Sequence, residues 1–303
     1  MHSYLKSIGF SEIDTKDKEE RLLNNVIRYA NTTSMICVDK HSDEQYVEYC
    51  GDVGPGFGIT VRGRMDEDDH FHVDHYFPYY RSNIVTSEEE SFISKKSEND
   101  SYGVICEDYR VGVSLIFNLQ NAVDYLRVSS RGEDVFIHPV KLSALALEGT
   151  ILFPTLKTEE EVRSAGEEIL QYAKMMADAK KGDLDAIDSL THKEIDAFSM
   201  VNERLKEEDI FSIVDTSFAP YGLESEGYRI LGNIIRVREC TNVFTRERVY
   251  QMDISCNHIV FGLCVNAANV VGVPEPGRRF RGIVWLQGRI EFDKEPARTG
   301  FSD

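Results

Sequence analysis

Three histidines and an aspartate crowd together near residue 70. Residues 66–80 read DEDDHFHVDHYFPYY, and His70, His72, Asp74 and His75 make the spacing H-x-H-x-D-H. Imidazoles and a carboxylate so spaced can hold a divalent metal, which turns a bound water into a nucleophile for hydrolysis. That chemistry needs all four side chains to converge. The local pattern argues otherwise: FGITVRGRM reads as a strand, DEDD as an acidic turn and HFHVDHYF as the returning strand. Alternation then puts His70, His72, Asp74 and Tyr76 on one face, and Phe71, Val73, His75 and Phe77 on the other. A hairpin with one solvated polar face is the preferred reading, and a metal-dependent hydrolase the alternative.

A second group lies in the last long strand, RRFRGIVWLQGRIEF. Phe280, Gly282, Val284, Leu286, Ile290 and Phe292 share one face and suit a barrel interior. Arg279, Arg281, Ile283, Trp285, Gln287 and Arg289 share the other. Guanidinium groups beside an aromatic ring can stack and pair with single-stranded nucleic acid. The same groups make a protein–protein hot spot. They can also dock inside the molecule, against the acidic part of the chain. Arg279, Arg281, Trp285, Gln287 and Arg289 are therefore the candidate binding residues.

Other constellations carry less. There is no G-x-S-x-G elbow and no C-x-x-C pair among the six cysteines, which sit in apolar, strand-like runs and read as buried reduced thiols. Cys256 and His258 read as neighbours on one strand face. The glycine-rich stretch 51–58, GDVGPGFG, lacks the G-K-[ST] ending of a phosphate loop and leads into a strand, so it reads as a loop between strands. No cofactor is implied.

The elements that must position these residues follow from pattern and charge. The chain has 303 residues and a net charge of −18, all of it in residues 1–209; residues 210–303 hold 11 basic and 11 acidic side chains, and ten of the basic ones are arginine. Such acidity repels nucleic acid in bulk, which disfavours it as a partner except locally at the C-terminal part. No apolar run approaches a membrane span and no secretory signal is visible, so a cytoplasmic protein without membrane contact is expected. Leu22, Val26 and Tyr29 recur at helical spacing. Strand-like runs follow up to Phe153, broken by one helix at 118–126, giving an antiparallel sheet and an α+β class. Helical periodicity marks Val162, Ala165, Ile169, Ala173 and Met176, then 183–190, then Ile195, Phe198 and Leu205. After that come three strands, a short helix and a long final strand, the order of an OB-like β-barrel. The expected organisation is an α+β antiparallel-sheet domain at 1–155, a helical connector at 156–209 and an OB-like barrel at 210–303.

The histidine spacing resembles the metal-binding signature of metallo-β-lactamase-like hydrolases, which implies further ligands downstream, where His138, His192 and His258 stand. The chain departs from that pattern: bulky PYYRS follows the motif instead of small residues entering a helix. Separately, MHSYLKSIGFSEI, EEDIFSIVDTSFAPYG and GRRFRGIVWLQGRI resemble, over essentially the full length, an uncharacterised bacterial protein family. The resemblance implies a cytosolic bacterial protein and supplies no activity, cofactor or catalytic residue. The reading is a non-catalytic binding or interaction protein, with a protein partner one possibility. The alternatives are the hydrolase and single-stranded nucleic-acid binding through the arginine–tryptophan face.

Overall fold

Hairpin turns set the first layer. Strands β1 (Thr32–Cys37), β2 (Gln45–Gly54), β3 (Phe57–Met65) and β4 (Phe71–Tyr80) form an antiparallel meander in the order β1-β2-β3-β4. Pro55 presets the turn between β2 and β3, and Gly56 takes φ +75°, the left-handed position that a type II turn reserves for glycine. Helix α1 (Lys16–Arg28) starts where the Thr15 hydroxyl accepts from the Lys18 amide, and it buries Leu22 and Val26 against β2 and β3. The computed structural model describes residues 1–37, 45–96, 101–108, 110–130, 136–155, 214–223 and 225–293, with short pieces between 174 and 190.

The second layer is one large sheet. It contains β5 (Ser91–Lys95), β6 (Tyr102–Cys106), β7 (Leu115–Leu119), β8 (Phe136–Ala146), β9 (Gly149–Leu152), β10 (Ser217–Pro220), β11 (Gly227–Thr241), β12 (Arg248–Cys256), β13 (Ile259–Asn266), β14 (Val270–Val271) and β15 (Arg279–Asp293). The order is β10-β11-β12-β13-β8-β15-β7-β6-β5, with helix α2 (Ala122–Ser129) between β7 and β8. Most neighbours are antiparallel, but β13–β8, β15–β7 and β14–β9 are parallel. Since β11 also pairs with β15, strands β11, β12, β13, β8 and β15 close into a ring. Ile230, Ile234, Met252, Ile254, Phe261, Leu263, Leu142, Ala144, Phe280, Val284 and Leu286 belong to the buried cluster that this ring shares with β6 and β7. The two faces expected for the final strand are thus the ring's inside and outside.

The expected fold class needs correction. The protein is mostly β, and its large mixed sheet takes strands from both ends of the chain in place of a separate OB-like barrel. The reason is β8: this strand from the N-terminal half fits between β13 and β15, and without it the C-terminal strands leave an open gap. No connecting helix is among the described elements. Val162, Ala165, Ile169, Ala173, Met176, Ile195, Phe198 and Leu205, expected in that connector, lie outside the described residues.

The layers meet along β4 and a 3₁₀ helix, Ser3–Ile8, that rests on β4, β8 and β13. The seam between them is apolar with a polar stripe. Trp285 packs on Tyr4, His2 and Phe77, with ring centroids 5.6, 4.8 and 6.5 Å away. Arg62, fully buried, donates from Nε to Glu48 at 2.7 Å and from Nη2 to the Gln120 carbonyl at 2.8 Å. Gln287 donates to the Pro78 carbonyl at 2.7 Å, and its own oxygen accepts from Gln120 at 2.9 Å. Arg62 and Gln287 each reach across the seam, to the Gln120 and Pro78 carbonyls, while the Arg62–Glu48 pair lies within the meander.

Candidate functional site

The histidine motif is distributed, not convergent. A bulge in β4 sets Arg62 opposite His75 but the next residue, Gly63, opposite Val73, leaving Asp74 as the extra residue. The expected alternation is corrected by that one residue. His72 faces Arg64 and His75 faces Arg62, so both lie on one side of the sheet. They still go different ways. His72 Nε2 meets Asp66 at 2.9 Å, and His70 Nδ1 approaches the same carboxylate at 3.6 Å. The bond from His72, with the His70 amide, holds the Asp66 carboxyl down at about 2. Asp74 pairs with Arg64 at 3.5 Å, while the His75 ring stacks on Phe77. Among the described residues no three His, Cys, Asp or Glu side chains are grouped to hold a metal ion. His258 stands in the β12–β13 turn with φ +65°, off the strand face expected to carry it beside Cys256, and His192 lies outside the described residues.

The arginine–tryptophan face is also divided. Trp285 and Gln287 are buried in the seam. Arg279 is buried too, and donates to the Phe153 and Val214 carbonyls at 2.9 Å each. Arg281 is exposed, and Arg289 is half-buried with Asp124 at 3.9 Å. The one ring that could stack on a base is thus covered by the chain's own N-terminal residues.

Sequence reading missed a cleft of about 430 Å³ at the open end of the seam. One wall comes from the meander: Pro55 and Gly56 of the β2–β3 turn, then Tyr80, Arg81, Ser82 and Asn83 after β4. The other comes from the ring: Arg236 and Arg238 on β11, Gln251 and Asp253 on β12. The walls are tied by Gln251, whose amide donates to the Pro55 carbonyl at 2.6 Å. Gly262 lets them approach, because a Cβ there would fall 2.8 Å from the Tyr80 ring and 3.0 Å from Ser82.

A second bulge aims the arginines. On β11, Ile234 opposes Ile254 but Arg236 opposes Asp253, so Ile235 is the extra residue. Ile234 consequently stays inside the ring while Arg236 and Arg238 face outward into the cleft. Arg236 Nε meets Asp253 at 2.8 Å, and Arg81 meets Asp52 at 3.2 Å with its guanidinium 4.2 Å above the Tyr79 ring. Arg238 meets no carboxylate among the described residues. Burial holds the Tyr80 phenol well above its ordinary value, so at neutral pH it is an uncharged donor.

Residues 5–288 match the family described as "Domain of unknown function, E. rectale Gene description (DUF3881)". The chain belongs to that family. No curated protein and no solved structure matches it. The family's description assigns no activity, so the cleft must be read from its own chemistry. Among the described residues no helix is long and apolar enough to cross a membrane.

One signal in the sequence pointed toward the cleft without locating it. The C-terminal part holds arginine almost to the exclusion of lysine, and arginine is the side chain for planar oxyanion recognition. Finding the site required knowing that residues 80–83 lie across from 236–238.

Proposed function

We propose that this DUF3881 protein is a non-catalytic binding protein that takes a small organic anion, carrying a carboxylate or phosphate group, in the arginine cleft. The observation that carries this reading is Arg238: a guanidinium facing a cleft in which the other two arginines already have carboxylates. An oxyanion can take a bidentate bond from Arg238, with Arg236, Arg81 and the neutral Tyr80 phenol as further donors. The cleft volume lies in the range of small-molecule sites, roughly 300–1,000 Å³. Against catalysis stands the described lining, in which there is no histidine, cysteine or lysine; Asp253 is engaged by Arg236, and the Ser82 hydroxyl accepts from the Ile84 amide at 3.2 Å. A bacterial cytoplasm suits the unpaired, buried thiols of Cys50, Cys106, Cys240, Cys256 and Cys264 among the described residues.

The test is calorimetric titration with citrate, succinate, pyrophosphate and inorganic phosphate. At least one should bind wild type, and Arg238→Ala and Arg236→Ala should each weaken it ten-fold or more, with the affinity falling as salt rises. If none of the four binds, or if both variants bind as well as wild type, the reading is wrong.

A further inference from the structure

The outer face of the ring carries a second cleft, of about 400 Å³, whose described lining shares no residue with the first. Arg281 on β15 lies directly opposite Thr150 on β9. Arg229 on β11 is opposite Ile283, which makes it the diagonal neighbour of Arg281 on the same face, about 7–8 Å away at the backbone. The Arg229 guanidinium carbon lies over the Tyr221 ring, 4.6 Å from its centroid. No carboxylate among the described residues pairs with Arg229. Two guanidiniums on one face can both donate to a carboxylate lying between them, Arg229 with paired hydrogen bonds.

The rest of the lining has the opposite character. Glu148, exposed, comes from the β8–β9 turn, and Gly282 lets that turn come close: a Cβ there would fall 2.9 Å from the Glu148 carbonyl. Asn269 spends its Nδ2 on the Leu147 carbonyl at 2.9 Å, which leaves Oδ1 to accept. The cleft thus joins two cations to an anion and a neutral acceptor over a floor of bare glycine backbone.

From this we infer that the second cleft is a zwitterion site, binding a free α-amino acid with its carboxylate on Arg229 and Arg281 and its ammonium on Glu148 and Asn269. The inference stands independently of the arginine cleft, since it shares no residue with it. A simple anion would use half of the lining and would be repelled by Glu148.

A thermal-shift screen of the intact chain against the twenty amino acids, with acetate, methylammonium and inorganic phosphate at equal concentration, tests it. At least one amino acid should raise Tm, while the three simple ions should not. In titration of that amino acid, Arg281→Ala and Arg229→Ala should each weaken binding ten-fold or more. Glu148→Gln should do the same, and Arg238→Ala should leave it unchanged. The inference is overturned if no amino acid shifts Tm or if acetate acts as well as the best of them. It is overturned equally if binding survives Glu148→Gln, or is lost with Arg238→Ala.

Discussion

Arg62 and Arg238 carry the same guanidinium on two strands of the same molecule, and their surroundings are opposite. Arg62 is sealed between the layers, with Glu48 on Nε, the Leu119 and Gln120 carbonyls on Nη2, and the Phe77 ring 4.7 Å from its guanidinium carbon. Arg238 is exposed on the wall of the cleft and meets no carboxylate among the described residues. A buried charge must be answered by the protein itself, whereas an exposed one is answered by water until a ligand replaces it. The first arginine therefore fixes how the layers fit, and the second is available for work. In an acidic chain this separation keeps structural positive charge from competing with the site.

The largest effect should come from the seam. Arg62→Ala leaves Glu48 buried without its cation, and should lower unfolding free energy by about 3–5 kcal/mol in a urea titration. Adding Glu48→Gln should then cost less than it does in wild type, because the uncompensated charge is gone. A loss below about 1 kcal/mol for Arg62→Ala would show that this arginine is not what joins the layers.

A smaller effect separates the regions by pH. His2 packs beside Trp285, and burial, with the nearby N-terminal ammonium, pushes its imidazole down to about 4 from an ordinary 6.5. Between those values the unfolded chain takes up a proton that the folded chain refuses, so protonation favours unfolding. The stabilising contribution is complete above about pH 6.5 and declines as pH falls toward 4, by about 3 kcal/mol. His2→Gln should flatten that part of the stability profile. The described lining of the cleft holds no histidine, so Arg238→Ala should leave the slope as it is in wild type.

How much of this was written in the sequence differs between the two regions. The hairpin at residues 57–80, the capped helix after Thr15 and the two faces of the last strand follow from alternation, capping and turn chemistry, all of which act over a few residues. The docking of Trp285 was one of three readings, suggested by the charge asymmetry; yet Arg279 beside it turned to backbone carbonyls. Two single-residue bulges were not legible. By alternation His75 opposes His72, and Ile234 shares a face with Arg236; Asp74 and Ile235 reverse both relations. An extra residue leaves no local mark in composition, because what selects it is the packing of the neighbouring strand. The parallel pairing of β8 with β13 was equally hidden, since it joins residues more than one hundred apart. The cleft depends on the Ile235 bulge and on the seam that faces the layers toward each other, so it could not be read before the fold.

The smallest effect is also the one that decides whether the comparison holds. Among the described residues Arg238 touches no carboxylate, and the charges lining its cleft include two further arginines, Arg81 and Arg236. Replacing it by alanine removes no buried contact and relieves like-charge repulsion. The ligand-free variant should therefore match wild type within about 0.5 kcal/mol, as exposed substitutions do. Any gain should appear at low salt and fade once the screening length falls below about 10 Å, near 0.1 M ionic strength. Paired urea titrations of wild type and Arg238→Ala at low and high salt would measure this. A loss above about 1 kcal/mol at either salt concentration would put Arg238 with Arg62 among the residues that hold the fold. Weakened anion binding by the variant would then report damage to the structure, and the reading of the cleft would lose the cation that carries it.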